Sequence, residues 1–239
     1  MHTTFSEKMR KEILLEFTLD DVKRALDAIP PKISEKGIIS KGMLQGRGSS
    51  VEYTIHLGWD LIIAHLCDRS WSTFNFTLLR HIKKLEEAGQ DVTPILEAAQ
   101  LEDEHWRWLD KSFHYRGEGY KWFFLVAENY PQAACLVYQP KNSVAGAGKI
   151  FYIEYIATAP WNRTNAIAER VFSGVGSKLL TQVINYARND LKLSPGFSLH
   201  SLPQAEKFYE KIGMTPFPQH DKQGLRFYEW VDPTYATGT

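Results

Sequence analysis

Between Phe151 and Ile156 the chain is almost wholly aromatic and β-branched, with Glu154 the only charge. That density predicts a strand, and Pro160, which lacks the N–H a ladder needs, closes it. Ser173-Gly174-Val175-Gly176-Ser177 then opens a helix whose apolar residues Leu179, Leu180, Val183 and Ile184 recur at helical spacing. Strict alternation over Val51–Leu57 predicts a half-buried strand with His56 facing outward. Tyr120–Glu128 and Ala133–Gln139 read as strands joined by a turn over Asn129-Tyr130-Pro131-Gln132, with a linker from Lys141 to Gly148. Pro195-Gly196 breaks the chain before a strand at Phe197–His200, and a helix over Gln204–Ile212 ends at Gly213. Phe217 and Leu225–Val231 suggest a closing hairpin around a polar turn containing His220, followed by a loose tail over 232–239.

The first half is patterned differently. Phe17–Ile29 has Asp20 and Asp21 near its start, an apolar stripe, and Pro30-Pro31 as a stop, which predicts a short helix. Gly37–Ser50 carries four glycines with Lys41 and Arg47, and reads as a solvated linker, a mobile lid or an anion-binding loop. Trp59–Phe113 looks mostly helical. Leu78, Leu79, Ile82 and Leu85 mark one amphipathic face ended by Gly89, and Thr93-Pro94 reads as cap and first turn of a helix continuing toward Trp108. His105 lies beside Glu102, Asp103 and Glu104, but adjacent helical residues point in different directions and no HxxxH or CxxC spacing supports a metal. A surface turn with Trp106 or Trp108 packed inward is the expectation.

Composition narrows the class. The 44% hydrophobic and 13% aromatic content of this 239-residue chain indicates a globular protein with a sizeable core. Lys+Arg 28 balance Asp+Glu 28, so no general grip on nucleic acid is expected. Cys67 and Cys135 sit in apolar runs and read as buried thiols of a cytoplasmic protein. The first residues hold no apolar core of signal-peptide length, and no apolar run is long enough to span a membrane.

A strand, a glycine loop and a helix N-terminus make a phosphate site, because glycine admits close backbone approach and the first amides of a helix are unpaired. Neither GxGxxG nor the GxxxxGK[ST] loop is met, since Leu179 stands where the third glycine of the first would fall. The segment instead resembles the acyl-CoA loop [Q/R]xxGx[G/A] of the GNAT N-acetyltransferase family. Here it reads Val171-Phe172-Ser173-Gly174-Val175-Gly176, with Val171 in the place of the Gln or Arg and Arg170 one residue earlier. Downstream, Ala205, Phe208, Tyr209, Gly213 and Met214 are similar to the family's AxxFYxxxGF, with Met for Phe; Leu202 stands where an Asn is frequent.

The resemblance, to a bacterial-type member, covers roughly the second half of the chain. It implies an α+β GNAT fold, a mixed and mostly antiparallel central sheet flanked by helices. The acetyltransferase domain would span 90–239, after a largely helical extension over 1–89 through which a homodimer or a protein partner could form. It implies acetyl-CoA as donor and direct transfer of the acetyl group to an amine, with no metal. The backbone of Ile156, Ala157 and Thr158 would hold the pantetheine arm. The amides of Val171, Phe172, Ser173, Gly174, Val175, Gly176 and Ser177 would take the pyrophosphate. Tyr209 holds the place of the family's general acid. For the base, Glu154 and His200 both stand as candidates: the first is a charge in an apolar strand that would share a face with Ile156, the second titrates near neutrality. Rival readings are a different acyl donor or acceptor, and a catalytically silent CoA-binding module.

Overall fold

A computed structural model describes residues 18–28 and 32–232 of the chain. They fall into two compact units that part between Ile33 and Ser34. In the first, helix α1 (Leu19–Ala28) is closed by a reciprocal cap. The Thr18 amide donates to Asp21 Oδ2 at 2.9 Å, and the Asp21 amide donates back to Thr18 Oγ1 at 3.2 Å. Phe17, Ile29, Pro30 and Pro31, and the tail over 233–239, lie outside the described residues.

The second unit is α+β. Its eight-stranded sheet comprises β1 (Ile38–Gln45), β2 (Ser50–Leu57), β3 (Tyr120–Ala127), β4 (Tyr130–Asn142), β5 (Lys149–Thr158), β6 (Gly196–Ser201), β7 (Thr215–Pro216) and β8 (Arg226–Val231). They lie in the order β1-β2-β3-β4-β5-β6-β8-β7. Every neighbouring pair is antiparallel except β5–β6. The helices are α2 (Leu61–Glu87), α3 (Thr93–Ala99), α4 (Trp108–His114), α5 (Val175–Asn189) and α6 (Glu206–Lys211).

The α5 helix buries Val175, Leu179, Leu180, Val183 and Ala187, a stripe at helical spacing, against one face of the sheet. Phe123, Leu125, Cys135, Val137, Phe151, Ile153, Phe197 and Leu199 meet it there. On α2, the indole of Trp71 donates to the Pro131 carbonyl of β4 at 3.0 Å and stacks edge-on against Trp108 of α4, which in turn meets Trp122 of β3. Asp60 caps α2 through the amides of Ile62 and Ile63. Both cysteines are buried thiols.

The segment expected as an N-terminal extension over 1–89 does not end at a break. The strands β1 and β2 extend the sheet, and the unit that starts at Ser34 runs through residue 90 without division. The glycine-rich stretch Gly37–Ser50 is mostly strand β1 and a short turn, neither linker nor lid. Gly42 is there for packing: a Cβ at that position would lie 2.6 Å from the Tyr53 hydroxyl on β2. His56 does not face outward. It is buried at 4% exposure, with Nε2 2.8 Å from Thr54 Oγ1, because the second face of β2 is covered as well. The β3–β4 turn is two residues, Glu128 and Asn129, both with positive φ; Tyr130 and Pro131 already belong to β4. Thr93 is the first helical residue rather than the cap, and α3 stops at Gln100, whose φ is 51°.

Asp68 of α2 holds α4 in place by accepting from the Trp108 and Leu109 amides at 2.6 and 3.0 Å. Burial pushes its carboxyl from 3.8 up to about 6, although both amides pull the other way. Between these values the folded chain keeps a proton that the unfolded chain has released. Stability from this group is therefore highest below pH 4 and falls as pH rises toward 6. Relative to Asp68→Asn, wild type should lose about 2 kcal/mol between pH 4 and 6.5 in urea denaturation, with no further change above. A difference between the two proteins that does not vary with pH would refute this role.

Candidate functional site

Strands β5 and β6 pair over only three residues, from Phe151↔Phe197 to Ile153↔Leu199. Beyond Ile153 they part. The cause lies on the other side of β5, where the register with β4 jumps from Val137↔Ile153 to Leu136↔Tyr155 and leaves Glu154 opposite no residue. Such a bulge bends the strand and adds twist. It also resets the alternation of faces. Phe151, Ile153 and Ile156 all join the core under α5, so Glu154 and Ile156 do not share a face as the unbroken period predicted.

The parted strands leave a cleft of about 820 Å³. It is bordered by Tyr152–Thr158 of β5, by Leu199 and His200 of β6, by Gly174–Ser177 where α5 begins, and by Phe208 and Tyr209 of α6. Of the residues singled out from sequence, Glu154, Ile156, Ala157, Thr158, Gly174, Val175, Gly176, Ser177, His200 and Tyr209 therefore meet at one cavity. Val171, Phe172 and Ser173 do not border it. Their amides are already used: Val171 donates to Trp161 O at 3.0 Å, Phe172 to Asn162 Oδ1 at 3.0 Å, and Ser173 to Gln45 O at 3.3 Å. The donors open to a ligand shrink to Gly174–Ser177, ahead of the first intrahelical bond from Lys178 N to Gly174 O at 3.0 Å. Gly174 has φ 68°, and a Cβ on Gly176 would stand 3.2 Å from Thr158 Cγ2. Both positions favour glycine, one for its backbone and one for the closeness of β5.

The long connection from Pro160 to Phe172 is held by a buried polar knot. Gln132 Oε1 accepts from Trp161 Nε1 at 2.7 Å and Asn162 Nδ2 at 3.0 Å, while Asn162 Oδ1 takes the Phe172 amide. Arg163 adds a two-pronged pair with Asp103, at 2.6 and 2.5 Å, and also donates to the Thr158 carbonyl at 2.7 Å. One guanidinium thus ties the segment after α3 to the end of β5 and takes up an acceptor that the strand parting has left unpaired. Sequence reading missed Arg163, Asp103 and Gln132. Their spacing is irregular, and only the fold brings them together.

Tyr209 is 7% exposed at the cleft edge, its ring against Phe208 and Tyr228. Burial, with a smaller contribution from Cys135, holds its pKa well above that of a free phenol, so the hydroxyl stays protonated. Burial also raises the Glu154 carboxyl, and Lys141 and Lys222 pull it back. His200 is occupied at both nitrogens. Nε2 lies 2.8 Å from the His220 carbonyl, which can only accept, so Nε2 carries the hydrogen and Nδ1 accepts from Tyr152 OH at 2.6 Å. Burial lowers its pKa, against the opposite pull of the His220 hydrogen bond. No lone pair of His200 is free for an incoming proton, and of the two candidate bases only Glu154 has an open acceptor.

The expected surface turn at 101–106 is present, with Trp108 buried and Trp106 edge-on to Tyr155 at 5.0 Å. Among the described residues no group of three or more His, Cys, Asp or Glu could hold a metal ion. Nor is any described helix long and apolar enough to cross a membrane.

No protein-family model matches the chain, and no curated protein does. Solved structures to which the chain shows a partial likeness include a candidate acetyltransferase of the GNAT family from Desulfovibrio desulfuricans, at 14% identity over 75% of this chain and 98% of that one, TM-score 0.45. PaiA N-acetyltransferase from Thermoplasma acidophilum, solved with coenzyme A, is 11% identical over 74% and 99%, TM-score 0.44. The N-acetyltransferase PseH from Campylobacter jejuni is 15% identical over 64% and 90%, TM-score 0.35. What the cleft can do is read from its own residues.

Proposed function

We propose that the chain is an acetyl-CoA-dependent N-acetyltransferase of the GNAT type, transferring the acetyl group directly to an amine. One observation carries this reading: the gap between β5 and β6 brings an unpaired strand edge, the free amides of Gly174–Ser177 and the Tyr209 hydroxyl to a single cleft. The edge of β5 at Ile156 and Ala157 suits the amide-bearing pantetheine arm as an added strand. The first turn of α5, with its dipole and its unpaired N–H groups, suits the pyrophosphate. Acetyl-CoA, when bound, supplies a thioester as activated acyl donor.

The residues divide the protons between them. Glu154 takes the one that the amine gives up as its N–C bond forms. Tyr209 supplies one to the sulfur as the C–S bond breaks. His200 fixes the Tyr152 hydroxyl and is a positioning residue. Two reduced, buried thiols fit a cytoplasmic setting.

Acetyl-CoA should raise the melting temperature in a concentration-dependent way, as any ligand of the folded state must. Gly176→Asp should abolish that shift while the apo protein stays folded, because a carboxylate there opposes the pyrophosphate and presses on Thr158. A shift with ATP or NAD in place of CoA would overturn the assignment.

Tyr209→Phe keeps the ring and its packing, so CoA affinity should survive. Loss of the proton donor should lower kcat by roughly 10²-fold, the lower end for general acid catalysis because water can substitute. A wild-type kcat in this variant, with chemistry limiting, would remove Tyr209 from the mechanism.

Glu154 acts as the carboxylate, so kcat/KM should rise with pH through its pKa, which lies above the ordinary 4.5. Glu154→Gln should erase that rising limb, and His200→Asn should leave it in place. The reverse pattern would transfer the role of base to His200.

A further inference from the structure

The charges on the cleft wall say what kind of amine fits, given the acetyl-transfer reading above. Among the acidic and basic side chains that border the cleft, Asp103 and Arg163 neutralise each other in their two-pronged pair. Glu154 and Lys222 remain, together with the imidazoles of His105 and His200. Lys141 stands just behind the wall, its ammonium 4.0 Å from the Tyr152 ring centroid and 5.3 Å from that of Phe227. Glu154, Lys141 and Lys222 feel one another electrostatically, yet none makes a direct ion pair among the described residues.

Two other carboxylates nearby keep their charge but stand outside the cleft lining, held by neutral donors. Glu229 is 2% exposed and accepts from Ser143 Oγ and from the Val144 and Ala145 amides. Asp221 accepts from the Phe227 amide at 2.7 Å. Neither borders the cleft.

A plain ammonium arriving here gains one attraction, to Glu154, and meets two repulsions. A diamine adds a second charge of the wrong sign. An amine with a carboxylate or phosphate at its other end turns both repulsions into attractions, and its nitrogen still reaches Glu154. Lys222 sits in the segment between Asp221 and Leu225, whose backbone closes on itself through Lys222 N to Leu225 O at 3.1 Å and Leu225 N to Lys222 O at 2.8 Å. That closed turn fixes the Lys222 backbone beside the cleft, while its side chain stays exposed. We propose that the acceptor is a small amine bearing an anionic group, with its nitrogen directed to Glu154 and its carboxylate or phosphate taken by Lys222, in a field that Lys141 reinforces.

The test follows release of the CoA thiol with matched acceptors: phosphoethanolamine against ethanolamine, and 5-aminopentanoate against 5-aminopentanamide and cadaverine. The anionic member of at least one series should have a kcat/KM about 10-fold or more above its neutral and cationic counterparts. Whether the phosphate or the carboxylate series shows it names the anion. Lys222→Glu should collapse that preference and favour cadaverine, with CoA affinity unchanged. The proposal is overturned if cadaverine or the neutral amines equal the anionic ones in wild type, or if Lys222→Glu leaves the ratio as it was. Should CoA raise the melting temperature while no amine is turned over, calorimetry of the same amines on the CoA-loaded protein decides: tighter binding of the anionic members supports the proposal, and equal or absent binding refutes it. Failure of CoA itself to bind removes the acetyltransferase reading, and the acceptor assignment with it.

Discussion

Everything at this site depends on the extra residue at Glu154. A parallel pair such as β5–β6 would ordinarily continue for the length of its strands, since each backbone N–H and C=O left unpaired in a buried place costs roughly 1–3 kcal/mol. Here pairing stops at Ile153↔Leu199 while β5 continues to Thr158. The chain offsets part of that loss from within, by the donation of Arg163 to the Thr158 carbonyl. The rest faces an open cleft. A ligand that pairs with this edge completes the sheet, so the instability of the gap becomes affinity for whatever fills it.

The glycine loop before α5 and the sheet are coupled through the same region. Asn162 holds Phe172, Phe172 sits in the core, and Gly174 follows two residues later in a left-handed turn that starts α5. The position of the free amides is thus fixed by Gln132 on β4, through a carboxamide that holds both Trp161 and Asn162. The loop is thereby held in place with no Gln or Arg at the position of Val171. Orientation of the loop comes from buried side chains upstream of it, and Val171 packs against the core.

The fold class and most of the site were legible because they rest on short-range patterns. The strand run at Phe151–Ile156, the glycines before α5 and the Phe208-Tyr209 pair each announce themselves within a few residues. The bulge was not legible, because a one-residue slip against β4 leaves no trace in the composition of β5. The glycines of β1 misled for a related reason: Gly42 clears the Tyr53 ring on the next strand, a long-range demand that looks locally like flexibility. Arg163 and Asp103, tens of residues apart in sequence, meet only through topology, and Lys222 and Glu154 border one cleft for the same reason. His200 was read from its ordinary pKa, and only the structure shows that His220 and Tyr152 fill both of its nitrogens.

Burial moves the two groups that would handle protons in the same direction, and the two roles need that for opposite reasons. A phenol pushed upward stays protonated at neutral pH, as a proton donor at Tyr209 would need. A carboxylate pushed upward becomes a stronger base, but must still be ionised in order to act. For Glu154 the burial that raises its carboxyl also favours the neutral form. Lys141 and Lys222 oppose it. Their attraction counters the burial that raises the half-buried Glu154 carboxyl, and on the reading proposed above the same two ammonium groups would bear on which amines approach it. On that reading, base strength and acceptor choice would be set by one electrostatic balance, and a change at Lys222 would alter both together.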